Sequence, residues 1–215
     1  MPSSPTLDSL RALVAARFPT PVRKHGEGLP IGVREIDELL GGGLPAGRLT
    51  ELVSSPGAGG QLVLARLLAA TRLSRRRVAL IDAARGFAPD SVVPDTLRHL
   101  VWVCPATIDD TFAVANMLVR DGNYAAVVLD LRGISDRLLK RLPASAWHRL
   151  HRAAENGPAV LVQTAQPLVP AVPWRILLDT PHGLTSQRLP QDALADTVAA
   201  EVLRGHLASV EALTG

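Results

Sequence analysis

The sequence predicts an α/β fold, a mostly parallel sheet flanked by helices, and three observations carry the prediction. Short apolar runs alternate with segments of helical periodicity across residues 49–178, the order expected of strands joined by crossover helices. The runs at 78–82 and 125–130 are apolar almost throughout, which implies burial on both faces, as in a parallel sheet. Between the strand at 49–53 and the first long helix lies a glycine-rich turn, Ser-Ser-Pro-Gly-Ala-Gly-Gly-Gln at 54–61. Ligands of such sheets sit beyond the carboxyl ends of the strands, where this turn falls.

Taken in order, residues 7–18 read as a short amphipathic helix, with Leu7, Leu10, Leu13 and Val14 on one side, Asp8 and Arg11 on another, and Phe18 at its end. A helix this short needs a surface to pack on, and residues 20–28 give it a flexible connection. Residues 31–40 look helical and stop at Gly41-Gly42-Gly43, a C-cap signal. Strand 49–53 enters the turn and helix 62–70 leaves it. Strands follow at 78–82 and 100–103, a helix at 109–120, and the strand at 125–130. A helical stretch at 135–155 is expected to break at Pro143, and a strand follows at 159–163. Pro167, Pro170 and Pro173 favour an extended linker before a late strand at 174–178 and a terminal helix at 191–207. The implied organisation is an N-terminal helix and linker at 1–28, a core at 29–180, and a C-terminal tail with its helix at 181–215.

A chain of 215 residues with 47% apolar and 20% charged content is long enough and apolar enough for one sizeable core. The net charge of +3 leans mildly toward acidic partners. Cys104 is the single cysteine, so no internal disulfide forms and a cytoplasmic setting is expected. The first residues lack the regions of a signal peptide and no apolar run reaches membrane-spanning length, so no membrane partner is expected.

Against the phosphate-loop pattern G-x-x-x-x-G-K-[ST], Ser54 takes the place of the first glycine, Gly57 lies within the turn and Gly59 keeps the second glycine. Gly60 replaces the lysine and Gln61 the hydroxyl residue. Backbone N–H groups remain, but the charge on the phosphates and the metal ligand are gone. Losing the lysine alone removes a charge-assisted bond of about 1.5–3 kcal/mol. Asp130, at the end of its strand, is readable as a metal ligand or as a cap of the next turn, and with its loop partner missing the cap is preferred.

The block from Leu29 to Leu52, with Asp37, Gly42 to Pro45, Gly47-Arg48 and Glu51, resembles the stretch before the ATP loop of RecA proteins, T-G-x-x-x-L-D followed by G-G-L-P-x-G-R-x-x-E. Leu80-Ile81-Asp82-Ala83-Ala84 resembles the next RecA strand, whose I-D-A-E ends in the catalytic glutamate, and Ala84 stands in that position. The resemblance implies a RecA-like core with no working ATPase, no cofactor and no catalytic residue. Short, Arg-rich proteins of the ImuA/SulA-like group fit this pattern best. That group implies an accessory role in SOS-induced translesion synthesis, with RecA and an ImuB-type polymerase-like subunit as partners. The helix of Leu7 to Phe18 resembles the RecA segment that packs on a neighbouring protomer. The places of RecA's two DNA loops are short here, at 131–133 and 166–173, which argues against a RecA-like grip on DNA.

The remaining candidates have plainer readings. Arg75-Arg76-Arg77 reads as a solvated turn. Arg137, Lys140, Arg141, Arg149 and Arg152, around His148 and His151, make an extended basic surface with weak DNA contact as its functional reading. The two histidines lack further ligands at metal spacing, so no metal is expected, and Cys104 reads as a structural thiol. Two alternatives stand beside the accessory role. One is a weak nucleotide binder or ATPase in which an arginine such as Arg48, or a partner's residue, replaces the lysine. The other is a SulA-like inhibitor of cell division.

Overall fold

The structure, a computed structural model, describes residues 28–204. The predicted helix at 7–18 lies outside the described residues.

The described chain runs α1 (Arg34–Leu39), β1 (Leu49–Ser54), α2 (Gly60–Leu73), β2 (Val78–Asp82), β3 (Leu100–Val103), α3 (Ile108–Asp121), β4 (Ala126–Asp130), α4 (Asp136–Leu139), α5 (Ala144–Ala154), β5 (Ala159–Thr164), β6 (Trp174–Leu178), α6 (Gln191–Ala195) and β7 (Glu201–Arg204). The strands form one sheet in the order β3-β2-β4-β5-β1-β6-β7. The first six are parallel and β7 is antiparallel to β6. Every residue of β1, β2, β4 and β5 is buried, as expected of parallel strands covered on both faces.

Each face has its own core. On one, Leu64, Leu67 and Leu68 of α2 and Ile36 of α1 pack on Val78, Leu80 and Val128. On the other, Phe112 and Leu118 of α3 and Trp147 and Leu150 of α5 pack on Ala79, Ile81, Val127 and Leu129. Phe112 meets Trp147 edge to face at 4.8 Å, a geometry that favours both rings. Helix boundaries follow local chemistry. The Thr107 hydroxyl accepts the Asp110 N–H and starts α3, and Gly122, at φ 74°, ends it. Pro143 divides the stretch at 135–155, as expected, into α4 and α5.

Two expectations are corrected. The first helix begins at Arg34 rather than Ile31, because the Asp37 carboxylate accepts the N–H groups of Ile31 and Gly32 at 2.8 and 2.9 Å and holds them outside the helix. The terminal helix predicted at 191–207 stops at Ala195, and its later described part, Glu201–Arg204, is strand β7. There the free edge of β6 supplies backbone partners that outweigh helix propensity. Ala195 and Val198 meanwhile join the α1–α2 core, and the Ala200 N–H reaches Glu35.

His99, between α2 and β3, makes stability pH-dependent. Thr71 donates to the Leu67 carbonyl at 2.6 Å and sits 2.9 Å from His99 Nε2, while His99 Nδ1 is buried without a partner. Protonation would add a buried donor with nothing to receive it. Burial accordingly lowers the His99 pKa below 6.5, Arg72 acts in the same direction and Asp95 opposes. His151 is also lowered, chiefly by burial. A folded pKa below the unfolded one means that the unfolded chain binds more protons, so this stability is complete above pH 6.5 and is lost as pH falls through the lowered values. Melting temperature should therefore drop below about pH 6.5, and His99→Gln should flatten that drop; identical melting profiles for both proteins across that range would contradict the assignment.

Candidate functional site

The carboxyl ends of β1, β4 and β5 meet at one pole of the sheet. β1 and β4 lie on either side of β5, so the glycine turn and Asp130 are one strand apart. Ser54 ends β1, Gly57 and Gly59 take positive φ of 78° and 99°, and Gly59 is the left-handed cap from which α2 begins at Gly60. The first N–H groups of α2 therefore point out of the helix as in an anion-binding turn.

What occupies that turn comes from the chain itself. Asp130, almost fully buried, is held by Arg132: Nε donates to Oδ1 at 2.9 Å, Nη2 to Oδ2 at 2.5 Å, and the Arg132 backbone N–H to Oδ1 at 3.1 Å. The guanidinium is carried across the end of β5 to Gly60, where a β-carbon would lie 2.2 Å from Arg132 Nη1 and 2.8 Å from Ser54 Oγ. Gln163, in register between Asp130 and Leu52, donates from Nε2 to the Gly60 carbonyl at 3.1 Å. A cation thus stands at the position where the pattern calls for lysine, but it is paired with the carboxylate that would hold the metal.

The other substituted positions are engaged too. Gln61 donates to the Gly86 carbonyl at 2.9 Å, tying α2 to the turn after β2. That turn is organised by Asp82, which accepts from Gly86 N, Phe87 N and Trp102 Nε1 at 2.8, 3.1 and 3.3 Å. Ala84 packs against Gly133, where a β-carbon would come within 2.5 Å of its own. From the far side the segment after β6 covers the turn. The His182 N–H donates to the Gly57 carbonyl at 3.0 Å, and a β-carbon at Gly59 would stand 3.2 Å from His182 Nε2.

Beneath the pole, Glu51 of β1 is fully buried. It accepts from Thr164 Oγ1, Leu168 N and Val169 N on one oxygen and from Arg175 Nε at 2.6 Å on the other. Arg175 also donates to the Val169 carbonyl at 2.7 Å. This network fixes the short connection after β5, and Leu131 N, bonded to the Gln163 carbonyl at 2.9 Å, fixes the one after β4.

The structure therefore gathers Ser54, Gly57, Gly59, Gly60, Gln61, Ala84 and Asp130 at one pole. Arg48 is excluded as the lysine's replacement, because it precedes β1 at the opposite end of the sheet, near His151. Arg137 lies on α4, Lys140 and Arg141 follow it, and only Arg149 and Arg152 share α5. Leu7, Leu10, Leu13, Val14 and Phe18 lie outside the described residues. Cys104 is half-buried. Sequence reading missed Arg132 and Gln163, and took Glu51 only as a pattern match. A buried strand-end aspartate followed two residues later by arginine was the available signal for the ion pair.

These features define a parallel α/β protein with a strand, glycine turn and helix of the nucleotide-binding kind, its turn filled from within. No family model matches the chain. It is 32% identical over 114 residues to the DNA repair and recombination protein RadB of Thermococcus kodakarensis, covering 47% of this chain and 50% of that protein. It is 31% identical over 112 residues to a plasmid RecA of Lactococcus lactis subsp. lactis and 33% over 113 residues to RecA of Kineococcus radiotolerans, covering 32% of each. The chain thus matches between a third and a half of the length of these curated relatives. A crystal structure of the RadB recombinase superposes with a TM-score of 0.54 at 21% identity, covering 69% of this chain and 82% of that one. The fold is RecA/RadB-like, and the chain is similar in sequence to RecA and RadB proteins over about half its length.

Proposed function

We propose that this chain is a non-catalytic, ImuA-like accessory protein of the DNA-damage response. In this reading it supports damage-induced translesion synthesis by binding RecA and an ImuB-type polymerase-like subunit. It works in the cytoplasm, at the nucleoid when bound to RecA. The observation that carries the non-catalytic part is the Asp130–Arg132 pair seated on Gly60. It neutralises the carboxylate that would hold a metal and fills the space a lysine side chain would cross, while Ala84 offers no base for an attacking water. The repair and recombination name of the RadB relative supports the setting. Full-length protein should co-purify with RecA in a pull-down run with and without ATP-loaded filament. It should give no heat with Mg-ATP at micromolar concentration in isothermal titration. Retention of the tubulin-like division protein in place of RecA would favour the SulA-like alternative.

The second reading, a weak nucleotide binder, rests on the same guanidinium, since Arg132 already points its charge at the turn. Micromolar Mg-ATP binding that disappears in Arg132→Ala would establish it and overturn the first.

A further inference from the structure

The amino ends of the strands form a second pole, remote from the glycine turn. Helices α3 and α5 run back from the other end of the sheet and finish here side by side: a β-carbon at Gly157 would lie 3.1 Å from the Ala154 carbonyl and 3.6 Å from that of Val119. Arg120 in the last turn of α3 and Arg149 and Arg152 of α5 line, with Ala153, an open cavity of about 450 Å³. All three are exposed, and none makes an ion pair within the described residues. The loops entering β1 and β2 bring Arg48 and Arg77 to the same pole: Arg48 acts electrostatically on His151, and Arg77 on Tyr124. Two acids stand by the same helix ends: Asp121 accepts a hydrogen bond from Asn123, and Glu155 acts electrostatically on His151, but neither forms an ion pair with the three arginines among the described residues.

The carbonyl ends of α3 and α5 favour cations in general, which accounts for arginine in a last turn. They supply no fixed countercharge for three guanidinium groups facing one cavity. Like charges lining one cavity without ion-pair partners among the described residues repel, and the arrangement is relieved by an external polyanion with closely spaced charges. Planar guanidinium groups suit phosphate oxygens in particular. None of the residues lining the cavity is aromatic, so it has no platform on which unpaired bases would stack.

We propose that this pole binds the phosphate backbone of nucleic acid, through Arg120, Arg149 and Arg152, without reading sequence. The contact is independent of the nucleotide-site remnant and of whether RecA is a partner. It narrows the basic surface legible in the sequence to Arg149 and Arg152 and adds Arg120, leaving Arg137, Lys140 and Arg141 outside it.

The test is fluorescence anisotropy of full-length protein with a labelled mixed-sequence duplex at low salt. Three phosphate contacts predict a slope of log K against log salt of about −2.7, with little change when the sequence is scrambled. Arg120→Gln/Arg149→Gln/Arg152→Gln should weaken binding at least about tenfold and bring the slope toward zero, since each contact contributes about −0.9. Its thermal melt should match that of the wild type, and Arg137→Gln/Arg141→Gln should bind as the wild type does. Absence of binding at low salt would overturn the proposal, as would a wild-type slope in the folded triple variant. Equal competition by poly-glutamate would assign the pole to an acidic protein segment and would overturn it as well.

Discussion

Arg175→Met should destabilise the protein by about 3–5 kcal/mol, because removing one member of a buried ion pair strands the other. Glu51 is fully buried, and Arg175 keeps only 19% of its side chain exposed. Without the guanidinium, one carboxylate oxygen faces the interior with no donor, and the Val169 carbonyl loses its partner as well. Thr164, Leu168 and Val169 would still donate to the other oxygen, so the fold should survive in weakened form. Urea unfolding followed by circular dichroism measures the loss. Glu51→Gln/Arg175→Met should recover a large share of it, because a neutral amide no longer strands a charge. A loss below about 1 kcal/mol for Arg175→Met would place the pair in the range of surface bridges and contradict its burial.

The second large effect concerns Gly60. Gly60→Lys, which restores the residue the phosphate-loop pattern requires, should destabilise by about 1–3 kcal/mol through overpacking. The new side chain meets Ser54 Oγ and the Arg132 guanidinium, and Arg132 cannot withdraw without breaking its bonds to Asp130. Arg132→Ala alone should lose about 3–5 kcal/mol by leaving Asp130 buried and unpaired. Together the two changes should lose less than their sum, since the lysine ammonium then has room and a carboxylate to answer. Adding Gln61→Thr should raise Mg-ATP affinity at least about tenfold over the wild type, the value of one charge-assisted bond. Thermal unfolding and isothermal titration of the four variants provide the check. Full tolerance of Gly60→Lys on its own would show that the guanidinium does not hold that space.

The core was legible because its signals are local and repeated. The unbroken apolar run that became β4 admits only burial on both faces, and Pro143 had to interrupt the helical stretch around it. The site was legible only by subtraction: Gly60, Gln61 and Ala84 stand where lysine, hydroxyl and glutamate were expected, and the sequence marks those losses without what fills them. Arg132 was unreadable as the filler, because its reach to Gly60 depends on β5 lying between β1 and β4, an order set by long-range pairing. Glu51 poses the same difficulty, since its partners lie more than a hundred residues away. The missed strand at Glu201–Arg204 has a similar cause. Its sequence carries helix propensity, and only the free edge of β6 makes extension the better choice.

The pairing of Asp130 with Arg132 also bears on how the protein responds to its surroundings. A diffusible counter-ion occupies a site according to its concentration, whereas a tethered one has an effective concentration fixed by the two-residue link. Neutralisation of Asp130 therefore does not vary with the supply of nucleotide or magnesium. Ligand binding ordinarily adds stability that rises and falls with ligand level; here the chain supplies its own occupant. If the chain is the non-catalytic accessory protein proposed above, the shape this pole presents is constant across the cell's energy states, a property suited to a protein that others must recognise under stress.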